Sequence, residues 1–158
     1  MATSQTKITD DIRELEKKVK KWVEKITALN QHQVRLGVFG GNAEDGTSLP
    51  MIGAVHEFGS KKRSVPERSF LGTPLKSHKQ EITESVAINV LNRLEKDDVE
   101  GVYDDIGNAA LNVVHNAFAT EGDGAWPKRK KKSDGHPLLH DTGVLENSIR
   151  YEVTGGQK

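Results

Sequence analysis

The sequence predicts an α+β chain of one domain. Three stretches place apolar residues every three or four positions, the period of a helix with one buried face. Two short stretches, residues 34–39 and 148–154, alternate apolar and polar residues, the period of a strand. A length of 158 residues suits one domain, with at most an added arm.

The first helix is expected from about Thr9 to Leu29. Ile8, Ile12, Leu15, Val19, Trp22, Val23, Ile26 and Leu29 form its stripe. Thr9 reads as the N-cap, and Asp10 and Asp11 suit the positive end of the helix dipole. Glu14–Lys18 and Glu16–Lys20 stand in the favoured i,i+4 order. The plain reading is a surface helix with a solvated charged face; the sharper one is a coiled-coil arm of about three heptads.

Val34, Leu36 and Val38 make the buried face of the first strand, which runs into the polar segment 40–47. That segment has no P-loop spacing and no following Gly-Lys-Ser/Thr, so it is not a phosphate cradle. Ser48 is placed to cap a short helix over Leu49–Phe58, with Pro50 in its first turn and Gly59 as its stop. Residues 60–68 form a basic connector with Lys61, Lys62 and Arg63. Thr73-Pro74 reads as the start of a long helix to about Glu95, with a stripe of Leu75, Ile82, Val86, Val90 and Leu94 widened by Ala87 and Leu91. Lys96-Asp97-Asp98 breaks and recaps the chain before a helix from Val99 to about Phe118. Gly107 costs that helix roughly 1 kcal/mol against Ala, which predicts a close packing contact there. Residues 120–137 show no periodicity, and a structureless run of that length is unusual in a compact domain. Residues 138–147 read as a short capped turn or helix, and Ile149, Tyr151 and Val153 face inward from the last strand.

Composition narrows the function. Lys plus Arg and Asp plus Glu are each 23, and zero net charge weighs against a dedicated nucleic-acid module. Apolar residues are 34% and mean hydropathy is −0.62, a lean core that favours added burial against neighbours. Residues 35–79 carry seven bases and four acids, whereas residues 80–119 carry two bases and eight acids; opposite patches suit self-association. There is no Cys, which excludes disulfide and thiolate chemistry and is compatible with a reducing cytosolic origin. No apolar run approaches the roughly 20 residues that cross a bilayer, and the polar start is not a signal peptide.

Chemistry-bearing patterns are scarce. Of six His, none falls in a strong metal signature; His136, His140 and Asp141 are the best grouping, and ordinary loop histidines are the better reading. No Ser sits in a nucleophile elbow, and Asp97, Asp98, Glu100, Asp104 and Asp105 read as a solvated helix face. The chain is therefore expected to be no enzyme and to need no metal or cofactor. Lys128, Arg129, Lys130, Lys131 and Lys132 are candidates to meet phosphate or an acidic partner, although a solvated loop is favoured and no aromatics interleave them. Trp126, in that Gly- and Lys-rich loop, must be covered by its own domain or by a neighbour. The loop is expected to be mobile in a free subunit and ordered by a neighbour.

Three patterns coincide in order and spacing. Residues 52–59 end in His56-Glu57-Phe58-Gly59; residues 65–71 include Pro66, Arg68, Phe70 and Leu71; and Trp126 leads through the Lys run to Leu138-Leu139-His140-Asp141-Thr142-Gly143-Val144-Leu145. Together they resemble the virion morphogenesis and tail-completion proteins of long-tailed bacteriophages, over about residues 34–153. The resemblance implies an antiparallel sheet packed by helices, with residues 1–33 as an N-terminal arm and 34–158 as the tail-completion-like domain. A further strand is sought in residues 60–71. It implies a head–tail connector or neck subunit in a ring, often six-fold, between head-side connector proteins and tail terminator or tail-tube proteins. Genomic DNA would pass through without sequence-specific binding, and no membrane is involved. Such a protein is made in the bacterial host cytoplasm and resides in the virion. A tail terminator, or a small nucleic-acid-binding module using the Lys run, are the alternatives. Within the motifs, Phe58 is expected to plug the core and Glu57 to meet Arg68, locking residues 60–68 for docking.

Overall fold

Strands β1 (His32–Val38) and β2 (Ile149–Gly155) pair antiparallel in the computed structural model. The structure describes residues 2–129, 137–139 and 142–155, without the side chains of residues 2–6. Lys130, Lys131, Lys132, His136, His140 and Asp141 lie outside the described residues. Val34, Leu36 and Val38 stand opposite Val153, Tyr151 and Ile149, so the alternating residues of both strands share one face.

Among the described residues, six helices complete the α+β fold: α1 (Ala2–Leu29), α2 (Leu49–Phe58), α3 (Gly72–Ser77), α4 (Lys79–Glu95), α5 (Val99–Ala119) and α6 (Val144–Asn147). Helix α5 lies on the inner face of the sheet. It starts at Asp98, whose carboxylate accepts the Gly101 N–H at 2.9 Å. Gly107 packs directly against the Tyr151 ring, and a Cβ there would overlap it. The glycine that weakens the helix lets helix and sheet approach.

The helix expected from Pro74 to Glu95 is divided at His78. Its start lies at Gly72 because side chains from outside satisfy the first amides. Glu57 accepts the Gly72 N–H and Ser69 Oγ accepts the Thr73 N–H, both at 2.8 Å. Val86 and Leu94 of α4 are buried against α5, but Ala87 is exposed and Leu91 is 64% exposed, so these two do not widen the inner stripe. Only one narrow side of α4 is covered.

Helix α1 begins at Ala2, so Thr9 is interior to it and Asp10 and Asp11 lie beyond its first turn. Nothing in residues 2–8 breaks a helix, since they hold neither Gly nor Pro. Its C-terminal turns grip the body: Lys25 Nζ donates to Leu94 O and pairs with Asp97 at 2.9 Å, Lys21 pairs with Asp97 at 3.1 Å, and Tyr103 Oη donates to Leu29 O. No helix among the described residues is long and apolar enough to cross a membrane.

The core gathers Phe70, Val114, Phe118, Trp126, Leu138, Leu145 and Ile149, with Phe70 and Val114 fully buried. Residues 120–129 are not structureless. Consecutive turns close them, with Gly122 N donating to Ala117 O at 2.8 Å and Trp126 N to Glu121 O at 3.1 Å. Residues 60–71 form no strand: a single bridge joins Ser60 to Val65, and the segment then turns to the Arg68 N–H···O=C His56 bond at 2.8 Å. Pro66, with no N–H to give, directly follows the bridge.

Candidate functional site

The three motif segments meet at one junction, but through partners other than those expected. Glu57 sits in the last turn of α2 and is 8% exposed. Its carboxylate accepts Phe70 N–H at 2.8 Å, Leu71 N–H at 3.0 Å, Gly72 N–H at 2.8 Å and Ser69 Oγ–H at 2.7 Å. An ionised carboxylate with four lone-pair positions suits this cluster of donors. It does the work of an N-cap for α3 from a distant element.

Arg68 does not meet Glu57. Its Nε and Nη2 both donate to Pro127 O, at 3.0 and 2.8 Å. The fork holds the 60–68 connector against the Trp126-Pro127 loop. Burial, with the positive charge of Arg129 behind it, lowers the Arg68 pKa. Carbonyl oxygen suits the buried guanidinium here because Glu57 is already saturated by four donors.

Trp126 is 6% exposed and covered by its own domain, so a neighbour is not what buries it. Its ring meets Phe118 edge-on at 5.8 Å, and Nε1 donates to Ser69 O at 3.1 Å. Phe58, expected to plug the core, is 77% exposed; Phe70 fills that place at 0%. A helix period separates the two outcomes, since Gly53 and Glu57 occupy the buried side of α2. Gly59 ends the helix at φ 69°, and a Cβ there would press on the Glu67 backbone.

Of the remaining motif residues, Leu138 and Leu145 are core, Leu139 packs on its edge, and Pro66 and Leu71 are half-buried. Gly143 is buried at φ 71° before α6, and Thr142 is exposed. Lys128 pairs with Glu121 at 2.8 Å, and Arg129 Nη2 donates to Pro137 O at 2.9 Å. Glu121 also accepts the Leu138 N–H at 2.9 Å. The Lys128 ammonium, then that amide, hold the Glu121 carboxyl below its ordinary range. At least two of the five basic residues are thus engaged with their own chain.

Beside the junction a cleft of about 580 Å³ is lined by His56, Arg68, Arg129, Glu44, Asp45 and Leu145, among others. His56 Nδ1 is buried without a hydrogen-bond partner. Burial, then the Arg68 charge, pushes the His56 pKa down, so the ring is neutral at pH 7. Acids and bases line the cleft together, without the single sign of charge that an anion or cation site calls for. Among the described residues no group of three or more His, Asp or Glu side chains is placed to hold a metal ion.

Sequence reasoning missed three contributors: Ser69, Glu121 and the Pro127 carbonyl. Ser69, four residues before Thr73-Pro74, was visible as a helix-start signal; a backbone carbonyl carries no signal in sequence. The acidic segment is not wholly the solvated face expected of it. Arg93 binds Asp105 with Nε at 3.1 Å and Nη2 at 2.8 Å and Asp98 with Nη1 at 2.6 Å, so Asp98 and Asp105 are paired structural groups. Comparison with protein-family models, curated proteins and solved structures returns no match for this chain.

Proposed function

We propose that the protein is a structural subunit of a bacteriophage neck, completing the tail and joining it to the head as one member of a ring traversed by the genome. The observation that carries this reading is the use made of the motif residues. Glu57, Arg68 and Trp126 spend their polar atoms on Phe70, Pro127 and Ser69 of the same chain. They hold loops in shape. That supports a protein working by shape and attachment.

Surface character supports attachment as well. Phe58 presents a large apolar side chain at the head of the 60–68 connector. Basic and acidic regions lie in different parts of the chain, the complementary pair a heterologous ring interface uses. The neighbours in this reading are further copies, in a six-fold ring, with head-side connector proteins on one side and tail terminator or tail-tube proteins on the other. DNA passes without sequence-specific contact. The protein is made in the host cytoplasm and ends in the virion.

Native mass spectrometry of the purified chain, with electron microscopy of particles carrying a labelled copy, tests the reading. A closed oligomer and label at the neck are expected. A strict monomer whose label is absent from particles would overturn it.

A further inference from the structure

Helix α2 is apolar on both sides. Its ten residues hold one acidic or basic side chain besides His56, namely Glu57, and that one is buried at the junction. The outer half carries Met51, Ala54, Val55 and Phe58. Met51 and Phe58 are more than half exposed, Ala54 is exposed and Val55 is half-buried. A helix that is apolar all round belongs in a covered position. From Phe58 the chain enters a closed basic turn. Ser60 N–H donates to Val65 O at 2.8 Å and Val65 N–H to Ser60 O at 3.0 Å, so Lys61, Lys62 and Arg63 stand on a fixed tip. All three are exposed, and among the described residues none of their side chains has an ion-pair partner. The surface is an apolar ridge with three unpaired cations at one end.

We propose that this ridge and turn seat the outer half of α4 from a second copy of the chain. Charge selects that occupant. The outer half of α4 presents exposed Ile88 and Leu91 with Glu81, Glu84 and Glu95 and no base. Arg93 lies toward α5, bound to Asp98 and Asp105. Among the described residues the three glutamates are in no ion pair; Glu84 accepts only the neutral Gln80 amide, at 2.8 Å. The exposed stripe of α1 is a poorer occupant, because Lys18 and Lys20 edge it together with Asp11 and Glu16 and give the basic turn no net attraction. Spacing fixes the direction. With the helices antiparallel and Phe58 on Ile88, the basic turn arrives at Glu84 and Glu81, about 6 and 10 Å along the α4 axis. A parallel setting leaves the turn with Glu95 alone. The apolar contact is small and ion pairs carry the rest, so added salt weakens the association. Two different faces meeting head-to-tail extend a ring, so the inference rests on the proposed ring and specifies its contact.

The absence of Cys makes the test clean. A chain carrying Phe58→Cys is co-expressed with a tagged chain carrying Ile88→Cys and oxidised mildly, and Ala54→Cys is combined with Leu91→Cys in the same way. A covalent heterodimer from at least one combination is expected. Homodimers in its place, or no covalent product from either combination, overturn the contact. Charge reversal is the second arm. Lys61→Glu with Arg63→Glu, on the exposed tip, is expected to weaken association at least about tenfold with thermal unfolding unchanged. Adding Glu81→Lys and Glu84→Lys to the same chain is expected to restore it; failure to restore it overturns the pairing. Light scattering of the unsubstituted chain separates the two readings. An oligomer without the heterodimer sinks only this contact, whereas a monomer sinks the ring as well.

Discussion

The Glu57 carboxylate accepts the backbone N–H of Phe70 at 2.8 Å, coupling the last turn of α2 to the most deeply buried aromatic of the core. The same carboxylate takes the next two amides and the Ser69 hydroxyl. One buried side chain therefore decides where the chain turns from the connector into α3.

Glu57→Ala leaves these amides without their acceptor. At about 1–3 kcal/mol for each buried donor left unsatisfied, the variant is expected to lose at least about 3 kcal/mol. Glu57→Gln keeps one acceptor oxygen but turns an amide donor toward other donors, and should fall between. Urea denaturation of the three proteins checks the order; a Gln variant as stable as the parent would refute the account.

Arg68→Lys removes the fork on Pro127 O while keeping the charge. A loss of about 1 kcal/mol is expected, and about 1.5–3 kcal/mol for Arg68→Ala. The readout is Trp126 emission, because the fork holds the adjacent residue. A red shift in the folded state should accompany the Ala change, measured in a Trp22→Phe background. An unmoved spectrum would show that the loop holds its place without Arg68.

Gly107→Ala gains roughly 1 kcal/mol of helix propensity but drives a methyl into the Tyr151 ring. Overpacking between a helix backbone and a sheet typically costs 1–3 kcal/mol, so a net loss is expected. Tyr151→Leu should relieve it, giving a coupling of at least about 0.5 kcal/mol in a double-mutant cycle. Strict additivity would place the ring elsewhere.

His56 gives a pH dependence whose sign is set. Its folded pKa is depressed by burial and by Arg68, so the unfolded chain takes up a proton first as pH falls. The stability of the neutral ring is present above the unfolded value near 6.5 and is lost progressively as pH drops below it. His56→Leu should flatten the stability–pH curve in that window. An unchanged slope would assign the dependence to other groups.

Local chemistry was enough for much of this protein. The periods of residues 34–39 and 148–154 announced both strands, because a half-buried strand must alternate. Gly59 and Asp98 marked helix ends because a left-handed stop and an N-cap each need particular side chains. Gly107 announced a close contact because a glycine inside a helix calls for a reason. Tertiary structure alone decided what depends on which surface meets which. It placed Glu57 on backbone amides 13–15 residues away and Arg68 on a carbonyl 59 residues away. It turned Phe58 out and Phe70 in, and it left the α1 stripe bare. A helical stripe states that a face is apolar; whether its cover comes from the same chain or another copy depends on where the remaining elements pack.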